Sequence, residues 1–171
     1  MPLPSFLCIG AQKAATSWLF SRLSQHPEVW MPPIKELHYF DHLYVPEVNN
    51  WSHFHLKANA RTLIKAHVTA AVYVNLAYVQ YLTSISLNDV FTEQWYKRAF
   101  AYHTGKDKCL GDITPEYCSI PPEGLQYVKS LLGDIKIIYL IRDPRSRALI
   151  RKKTATKINN RRRQRTTVVC Q

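Results

Sequence analysis

The chain has 171 residues, of which 46% are hydrophobic and 12% aromatic. This composition is that of a folded globular protein with room for one sheet and its helices, and it excludes a disordered chain. The formal net charge of +11 is uneven, because residues 151–171 hold eight of the 23 basic residues and none of the 12 acidic ones. The first 150 residues, with 15 basic and 12 acidic side chains, therefore carry only +3.

The chain opens with an apolar run at residues 5–9 that breaks at Gly10 and resumes with helical spacing near Thr16. This pattern predicts a strand, a loop and a helix, and the unpaired N–H groups at a helix start favour an anion. Lys13 adds a positive charge, and Thr16 and Ser17 add hydroxyl donors. The lysine precedes the hydroxyl pair by three positions, which is not the spacing of nucleoside triphosphatase loops. The alternative is a solvated lysine on a turn that binds nothing.

A short strand is predicted near residues 29–31, and a Lys-Glu pair follows it at Lys35 and Glu36. A positioned carboxylate can take a proton from a hydroxyl group, and Glu36 is a group of this kind. His38 is another, because imidazole titrates near neutral pH. The alternatives are a surface ion pair and a packed histidine bound to a backbone carbonyl.

The middle of the chain is predicted to be mostly helical. Residues 41–52 are polar and predict a loop, residues 53–85 predict one or two helices with the second starting near Ala70, and residues 91–102 predict another. The uncharged stretch at residues 68–87 approaches membrane-spanning length, but its Asn, Gln, Thr and Ser content favours a buried helix.

The last predicted elements are a helix at residues 122–132 and a strand at residues 135–141. This strand is apolar and β-branched, which predicts a central parallel strand covered on both faces. Arg142 follows it, and its planar fork suits two hydrogen bonds to a phosphate, although it could instead pair with a neighbouring carboxylate. Strands separated by helices indicate a doubly wound α/β sheet with a ligand site at the carboxyl ends of the strands.

Together these segments resemble the sulfotransferases that use 3′-phosphoadenylyl sulfate, especially the carbohydrate and heparan-sulfate types and their bacterial relatives. The first loop resembles their 5′-phosphosulfate loop, which often has glycine at the position of Ala15. Arg142 matches the arginine that binds the 3′-phosphate, whereas Ile150 stands where the family has a serine. Residues 35–40 resemble the Lys-Glu-x-His-Phe-Phe segment. Residues 111–117 resemble the Gly-Glu-Lys-Thr-Pro-Ser-Tyr segment that lines the acceptor cleft.

The resemblance implies a P-loop-like parallel sheet flanked by helices, 3′-phosphoadenylyl sulfate as sulfuryl donor, and no metal. It implies that Glu36 is the catalytic base, assisted by Lys13 and Lys35, with His38 as a substitute base. The residues expected to bind the nucleotide are Gly10, Gln12, Lys13, Ala14, Ala15, Thr16, Ser17, Trp18 and Arg142. The residues expected to contact the acceptor are Tyr39, Phe40, Asp112, Thr114 and Tyr117.

We expect residues 1–150 to form this domain, C-terminally incomplete, and residues 151–171 to form an unrelated, solvated basic tail. The expected acceptor is a small molecule or a glycan, with a carbohydrate favoured. Two interpretations remain open beside an active enzyme. One is a truncated remnant with residual nucleotide binding and no turnover, and the other, which we disfavour, is a nucleic-acid-binding module that uses the tail.

The N-terminal sequence and the cysteines give little further information about chemistry. The N-terminus shows no signal peptide and no span is predicted, so we expect a cytoplasmic protein. The four cysteines, at positions 8, 109, 118 and 170, have neither close pairing nor metal-ligand spacing. We expect them to be reduced and buried, and the seven histidines show no zinc pattern.

Overall fold

The computed structural model describes residues 2–87, 89–103 and 108–149. The predictions made for Ile150 and for residues 151–171 therefore lie outside the described residues. Residues 144–149 are helical and end the described chain. The other elements, in chain order, are β1 (Phe6–Gly10), α1 (Thr16–Leu23), β2 (Val29–Trp30), α2 (Tyr39–Tyr44), α3 (Pro46–Ala70), α4 (Leu76–Leu87), α5 (Glu93–Ala99), β3 (Cys109–Ile113), a 3-10 helix (Pro115–Ser119), α6 (Pro122–Leu132) and β4 (Lys136–Tyr139).

The four strands form one parallel sheet in the order β2-β3-β1-β4. In the register of this sheet, Phe6 of β1 lies opposite Gly111 of β3 and Lys136 of β4. Parallel pairing places the carboxyl ends of all four strands at the same edge. The predicted α/β architecture, a parallel sheet flanked by helices, is confirmed.

The core consists of two clusters. The larger one contains a group of fully buried aromatic side chains from α2, α5 and the 3-10 helix, which are Tyr39, Phe40, Trp95, Tyr96, Phe100 and Tyr117. The smaller one joins Phe6, Cys8, Met31 and Ile113, with side chains of α1 packed against it. Gly111 permits this packing, because a Cβ there would lie 2.0 Å from the Phe6 ring. Each fully buried large side chain contributes about 1.5–3 kcal/mol to folding.

The prediction of a loop at residues 41–52 is wrong, because α2 and the first turns of α3 occupy this segment. Some of its polar side chains bond to one another, since the Nδ1 atom of His42 lies 2.6 Å from the Ser52 hydroxyl. α3 begins at Pro46, where a proline is tolerated in the first helical turn. α3 also continues through Ala70, so the second predicted helix begins later, at Leu76.

None of the helices in the described part of the chain combines the length and the hydropathy that crossing a bilayer requires. The α6 bounds agree with the predicted residues 122–132. Cys8 is buried, whereas Cys109 and Cys118 are exposed, so the prediction of buried thiols is wrong for these two. Both lie where a strand or a short helix reaches the surface. Cys170 lies outside the described residues.

β4 was predicted to be a central strand covered on both faces, and this is wrong for the chain as described. It is an edge strand of the sheet, paired only with β1. Ile138 packs against the smaller core cluster, whereas Ile137 and Tyr139 on the opposite face are 51% and 50% exposed. An apolar strand has the same sequence pattern at the edge of a sheet as at its centre, because the pattern carries no information on the number of neighbouring strands.

Candidate functional site

A pocket of about 320 Å³ lies at the carboxyl edge of the sheet. Segments that follow all four strands contribute to it, including the loop after β1 and the residues after β3 and β4. The phosphate loop, the proposed base and the predicted 3′-phosphate arginine thus meet at one place. The pocket is lined by Gln12, Lys13, Ala15, Thr16, Ser17, Glu36, Pro115, Glu116 and Arg142.

The loop after β1 has an unusual backbone. Lys13 and Ala15 both have positive φ angles, 62° and 74° respectively. Ala15 is the N-cap residue of α1 and provides no side-chain hydrogen bond, so the first N–H groups of α1 remain available to an anion. A left-handed conformation costs a residue with a Cβ about 1–2 kcal/mol. This cost gives a physical reason why a glycine suits the position of Ala15.

Gly10 contacts the second of the two segments that are predicted to bind phosphate, the one that leads to Arg142. Its φ is 153°, and a Cβ at this position would lie 2.9 Å from the Tyr139 ring. Its carbonyl oxygen accepts a hydrogen bond of 2.7 Å from the Leu140 N–H, and the Ala11 N–H donates to the Leu140 carbonyl oxygen at 3.1 Å. The loop after β1 is therefore held directly against the chain that leads to Arg142.

Three predicted nucleotide-binding residues, Gly10, Ala14 and Trp18, are not among those lining the pocket. Ala14 is buried, and Trp18 is 60% exposed on α1, with the Arg22 guanidinium 6.0 Å from its ring centroid. Gln12 lines the pocket and donates a 2.7 Å hydrogen bond to Glu116. The structure therefore brings most of the predicted loop residues together, and the other three do not line the pocket.

Arg142 is exposed and lines the pocket. Within the described residues it forms no ion pair, so the alternative of a strand-end arginine bound to a carboxylate does not apply there. Asp143 instead accepts a 2.8 Å hydrogen bond from the Ser146 N–H, which caps the helix at residues 144–149. A neighbouring cavity of about 280 Å³ is lined by Lys13 and Gln12 together with Pro144, Arg147 and Ala148.

Glu36 and His38 occupy a strained loop between β2 and α2, with φ angles of 63° and 54°. The Lys35 ammonium contacts the Oε1 atom of Glu36. Burial lowers the pKa of Lys35 to about 8, although nearby carboxylates oppose the shift. Glu36 therefore lies beside a cation that burial makes easier to deprotonate than an exposed lysine.

His38 is completely buried, and its Nδ1 atom lies 2.7 Å from the Asp41 carboxylate. The partner is thus a carboxylate rather than the backbone carbonyl of the alternative interpretation. Within the described part of the chain its Nε2 atom has no hydrogen-bond partner, and it lies 4.0 Å from the Oε2 atom of Glu36. Asp41 orients the His38 ring toward Glu36.

The five residues predicted to contact the acceptor do not line the pocket. They are at most 2% exposed, and the polar side chains of Asp112, Thr114 and Tyr117 bond to one another within the core. Asp112 accepts hydrogen bonds from the hydroxyls of Thr114 (2.9 Å), Tyr117 (2.8 Å) and Tyr96 (3.0 Å). Burial raises the pKa of Asp112 to about 6. Tyr39 and Phe40 pack in the same aromatic cluster.

This buried hydrogen-bond network supports the loop that carries Glu36. The Tyr117 hydroxyl, which donates to Asp112, accepts a 3.2 Å hydrogen bond from the Tyr39 N–H. Tyr39 follows His38 and is the first residue of α2. We therefore interpret these aromatic residues as support for the loop, and their contact with an acceptor stays a prediction.

Sequence reasoning missed Glu116 and His55. Glu116 occupies the position of the serine in the Gly-Glu-Lys-Thr-Pro-Ser-Tyr pattern, and that mismatch was a usable signal. His55 reaches the site from α3, and its ring centroid lies 4.9 Å from that of His38. Burial lowers the pKa of His55, which keeps the ring neutral. The sequence separation between His55 and Glu36 gave no signal, because only the packing of α3 brings His55 to the site.

Comparisons with known proteins found a matching family and a similar fold. A family model described as the sulfotransferase family matches residues 4–169, a range that continues past residue 149. The crystal structure of a sulfotransferase from Alicyclobacillus acidocaldarius has a similar fold, with a TM-score of 0.60 and 23% identity. The alignment covers 93% of this chain and 52% of that one, so this chain spans about half its length. A search among curated proteins found no match.

Proposed function

Since this chain belongs to the sulfotransferase family, we propose that it transfers a sulfuryl group from 3′-phosphoadenylyl sulfate to a hydroxyl or amine acceptor. A carbohydrate is the favoured acceptor class. The observation that carries this proposal is the single pocket that joins Lys13, Glu36 and Arg142. These residues supply two cations for a nucleotide phosphorylated on both sides of its ribose and one carboxylate for the acceptor.

The donor would lie across the carboxyl edge of the sheet. The loop after β1 would bind the 5′-phosphosulfate through Lys13, Thr16, Ser17 and the free N–H groups of α1. Arg142 would bind the 3′-phosphate, and a guanidinium suits that task because it can donate two parallel hydrogen bonds. Arg147, in the adjoining cavity, adds a positive charge near the same end.

The transfer itself would be an in-line displacement at sulfur. The acceptor oxygen or nitrogen attacks sulfur while the Glu36 carboxylate takes its proton, which makes the acceptor a better nucleophile. The bond between sulfur and the 5′-phosphate oxygen breaks, and adenosine 3′,5′-bisphosphate leaves with that electron pair. Lys13 stabilises the charge that grows on the departing oxygen, and Lys35 neutralises sulfonate oxygens.

Glu116 works against anion binding in this arrangement. Its carboxylate lies in the pocket, where the charges of Glu36 and Glu116 offset those of Lys13 and Arg142. Its Oε1 atom accepts a hydrogen bond from Gln12, while its Oε2 atom is buried without a partner. We expect Glu116→Gln to keep the bond to Gln12 and to strengthen binding of an anionic nucleotide several-fold, because it removes one nearby negative charge.

Nucleotide binding is the first test. Calorimetric titration with adenosine 3′,5′-bisphosphate should show strong losses in Lys13→Ala and Arg142→Ala and a gain in Glu116→Gln. Lys129→Ala is the matched control, because it removes an exposed lysine from α6, outside the pocket. Unchanged affinity in Lys13→Ala and Arg142→Ala would refute the assignment of this pocket to the nucleotide.

Catalysis is the second test. With 3′-phosphoadenylyl sulfate and a panel of carbohydrate, amine and alcohol acceptors, Glu36→Gln should lower the transfer rate by about 10²–10⁴-fold. Its affinity for the bisphosphate should stay close to that of the unchanged chain. Nucleotide binding without transfer to any acceptor would refute the enzymatic proposal and support the remnant interpretation.

We also propose that residues 1–150 constitute the nucleotide-binding domain and that residues 151–171 lie outside it. The family match extends through residue 169, so the two interpretations of this segment differ in a measurable way. Removing residues 151–171 should leave bisphosphate affinity unchanged if they lie outside the domain. A loss of affinity in soluble, folded material would place part of the domain in this segment.

A further inference from the structure

Three potential metal ligands meet beside the proposed base. One ligand atom from each of Glu36, His38 and His55 lies within 4.8 Å of the other two. The loop between β2 and α2 supplies the first two, and α3 supplies the third. Two independent elements therefore present a carboxylate and two imidazoles to a common point.

Each imidazole already has one ring nitrogen bound to an acceptor. His38 Nδ1 lies 2.7 Å from the Asp41 carboxylate, and His55 Nε2 lies 3.2 Å from the Lys35 carbonyl oxygen. Because a carboxylate and a carbonyl accept hydrogen bonds, these two nitrogens carry the ring protons. The ring nitrogens left to bind an ion are then His38 Nε2 and His55 Nδ1. Metal-binding histidines are held in the same way by a second acceptor behind the ring.

The Nε2 atom of His38 is a second, independent observation. It is buried, has no hydrogen-bond partner among the described residues, and faces the Oε2 atom of Glu36 across 4.0 Å. A buried polar atom without a partner is unfavourable. A cation bound to this atom and to Glu36 removes that cost.

We propose that Glu36, His38 and His55 form a binding site for a divalent transition-metal ion of the zinc class. Two imidazoles and one carboxylate are a ligand set that zinc accepts, with the fourth position left to water. Tetrahedral bonds of about 2.1 Å separate neighbouring ligand atoms by about 3.4 Å. The 4.0 Å between His38 Nε2 and Glu36 Oε2 exceeds this spacing, and the Glu36 side chain, which is 26% exposed, has room to shorten it.

Binding at this site has a consequence for the reaction. The ion takes the Glu36 lone pair that would otherwise accept the proton of the acceptor, so zinc inhibits transfer. The Lys35 contact is on the other carboxylate oxygen, Oε1, and does not occupy the same position. This inhibition rests on the proposed function, whereas the metal binding does not.

Zinc titration of the 171-residue chain by calorimetry tests the binding. We expect one ion at this site, and His55→Gln should weaken its binding by at least about tenfold, because it removes one ligand. His26→Gln is the matched control, since His26 is exposed and lies outside the cluster. The exposed thiols of Cys109 and Cys118 are the same in both variants, so any zinc that they bind cancels in the comparison.

A second readout uses Trp51, whose ring centroid lies 4.6 Å from that of His38. Cobalt(II), a paramagnetic ion with zinc-like geometry, should quench part of the tryptophan fluorescence, and Trp51→Phe should remove that part. His38→Gln should lose binding as well, but His38 is fully buried, so His55→Gln is the decisive variant. Equal zinc affinity in the unchanged chain, His55→Gln and His26→Gln, or no zinc uptake, would overturn the proposal.

Lys13→Ala separates this proposal from the proposed function. It lies in the phosphate loop and is not one of the metal ligands, so it should bind zinc normally while losing bisphosphate affinity. Normal zinc binding with unchanged bisphosphate affinity would contradict only the nucleotide assignment. If Lys13→Ala loses nucleotide affinity while His55→Gln leaves zinc affinity unchanged, only the metal site is contradicted.

Discussion

The Tyr117 hydroxyl links the buried Asp112 carboxylate to the start of α2, and its removal has a predictable cost. Tyr117→Phe removes a hydrogen bond to a charged group, worth about 1.5–3 kcal/mol. It also leaves the Tyr39 N–H without the acceptor it has in the folded protein, which adds about 1–3 kcal/mol. We therefore expect the free energy of unfolding to fall by about 4 kcal/mol in total.

Tyr96→Phe is a closely matched control for this change. Its hydroxyl donates to the same Asp112 oxygen, Oδ2, and its side chain is equally buried. It accepts no backbone N–H, so its removal should cost about 2 kcal/mol, the charged hydrogen bond alone. The difference between the two variants measures the bond that holds Tyr39, the residue next to His38.

Denaturant unfolding at neutral pH gives both free energies, with the slope of the transition as a check on two-state behaviour. Tyr117→Phe should be the less stable variant by about 1–3 kcal/mol. Equal losses, or a larger loss in Tyr96→Phe, would refute the reasoning that Tyr117 supports the Glu36 loop through the Tyr39 N–H.

Other predictions concern backbone strain and pH. Ala15→Gly should raise the free energy of unfolding by up to about 1 kcal/mol, because glycine adopts the left-handed conformation without steric cost; a lower melting temperature would contradict this. Gly10→Ala should destabilise the fold by about 1–3 kcal/mol, because the new Cβ would lie 2.9 Å from Tyr139; an unchanged denaturation midpoint would contradict the contact. Burial lowers the pKa of His42 from 6.5 to about 4, so the unfolded chain takes up this proton first as the pH falls. The contribution of His42 to stability should drop by up to about 3 kcal/mol between pH 6.5 and 4, and the difference between the profiles of the unchanged chain and His42→Asn measures it; parallel profiles would contradict it.

The candidate site was predictable where its chemistry follows the end of a strand. Lys13, Glu36 and Arg142 each come shortly after a predicted strand, and parallel strands bring their carboxyl ends to one edge. The orientation of Tyr39 and Tyr117 was not predictable in this way. Their rings favour burial, and a buried hydroxyl is acceptable only when it has partners, which here come from distant residues.

For the fold as well, local sequence patterns predicted some elements, whereas others depend on distant residues. The bounds of α6 agree with the prediction, because its apolar spacing and its first-turn proline are local signals. The segment at residues 41–52 looked like a loop, because the polar side chains of His42, Asn49 and Ser52 find one another only after folding. The position of β4 at the edge depended on the number of neighbouring strands, which no local pattern records.

The exposed position of β4 has a consequence for handling the protein. The outer side of its backbone is unpaired in the described part of the chain, and Ile137 and Tyr139 flank it half-exposed. Such an edge is a template for extended segments of other molecules, and Lys136 is the one charge on the strand that opposes their approach. Concentrated preparations are therefore expected to self-associate through this strand, and dilute samples are the appropriate material for quantitative titrations.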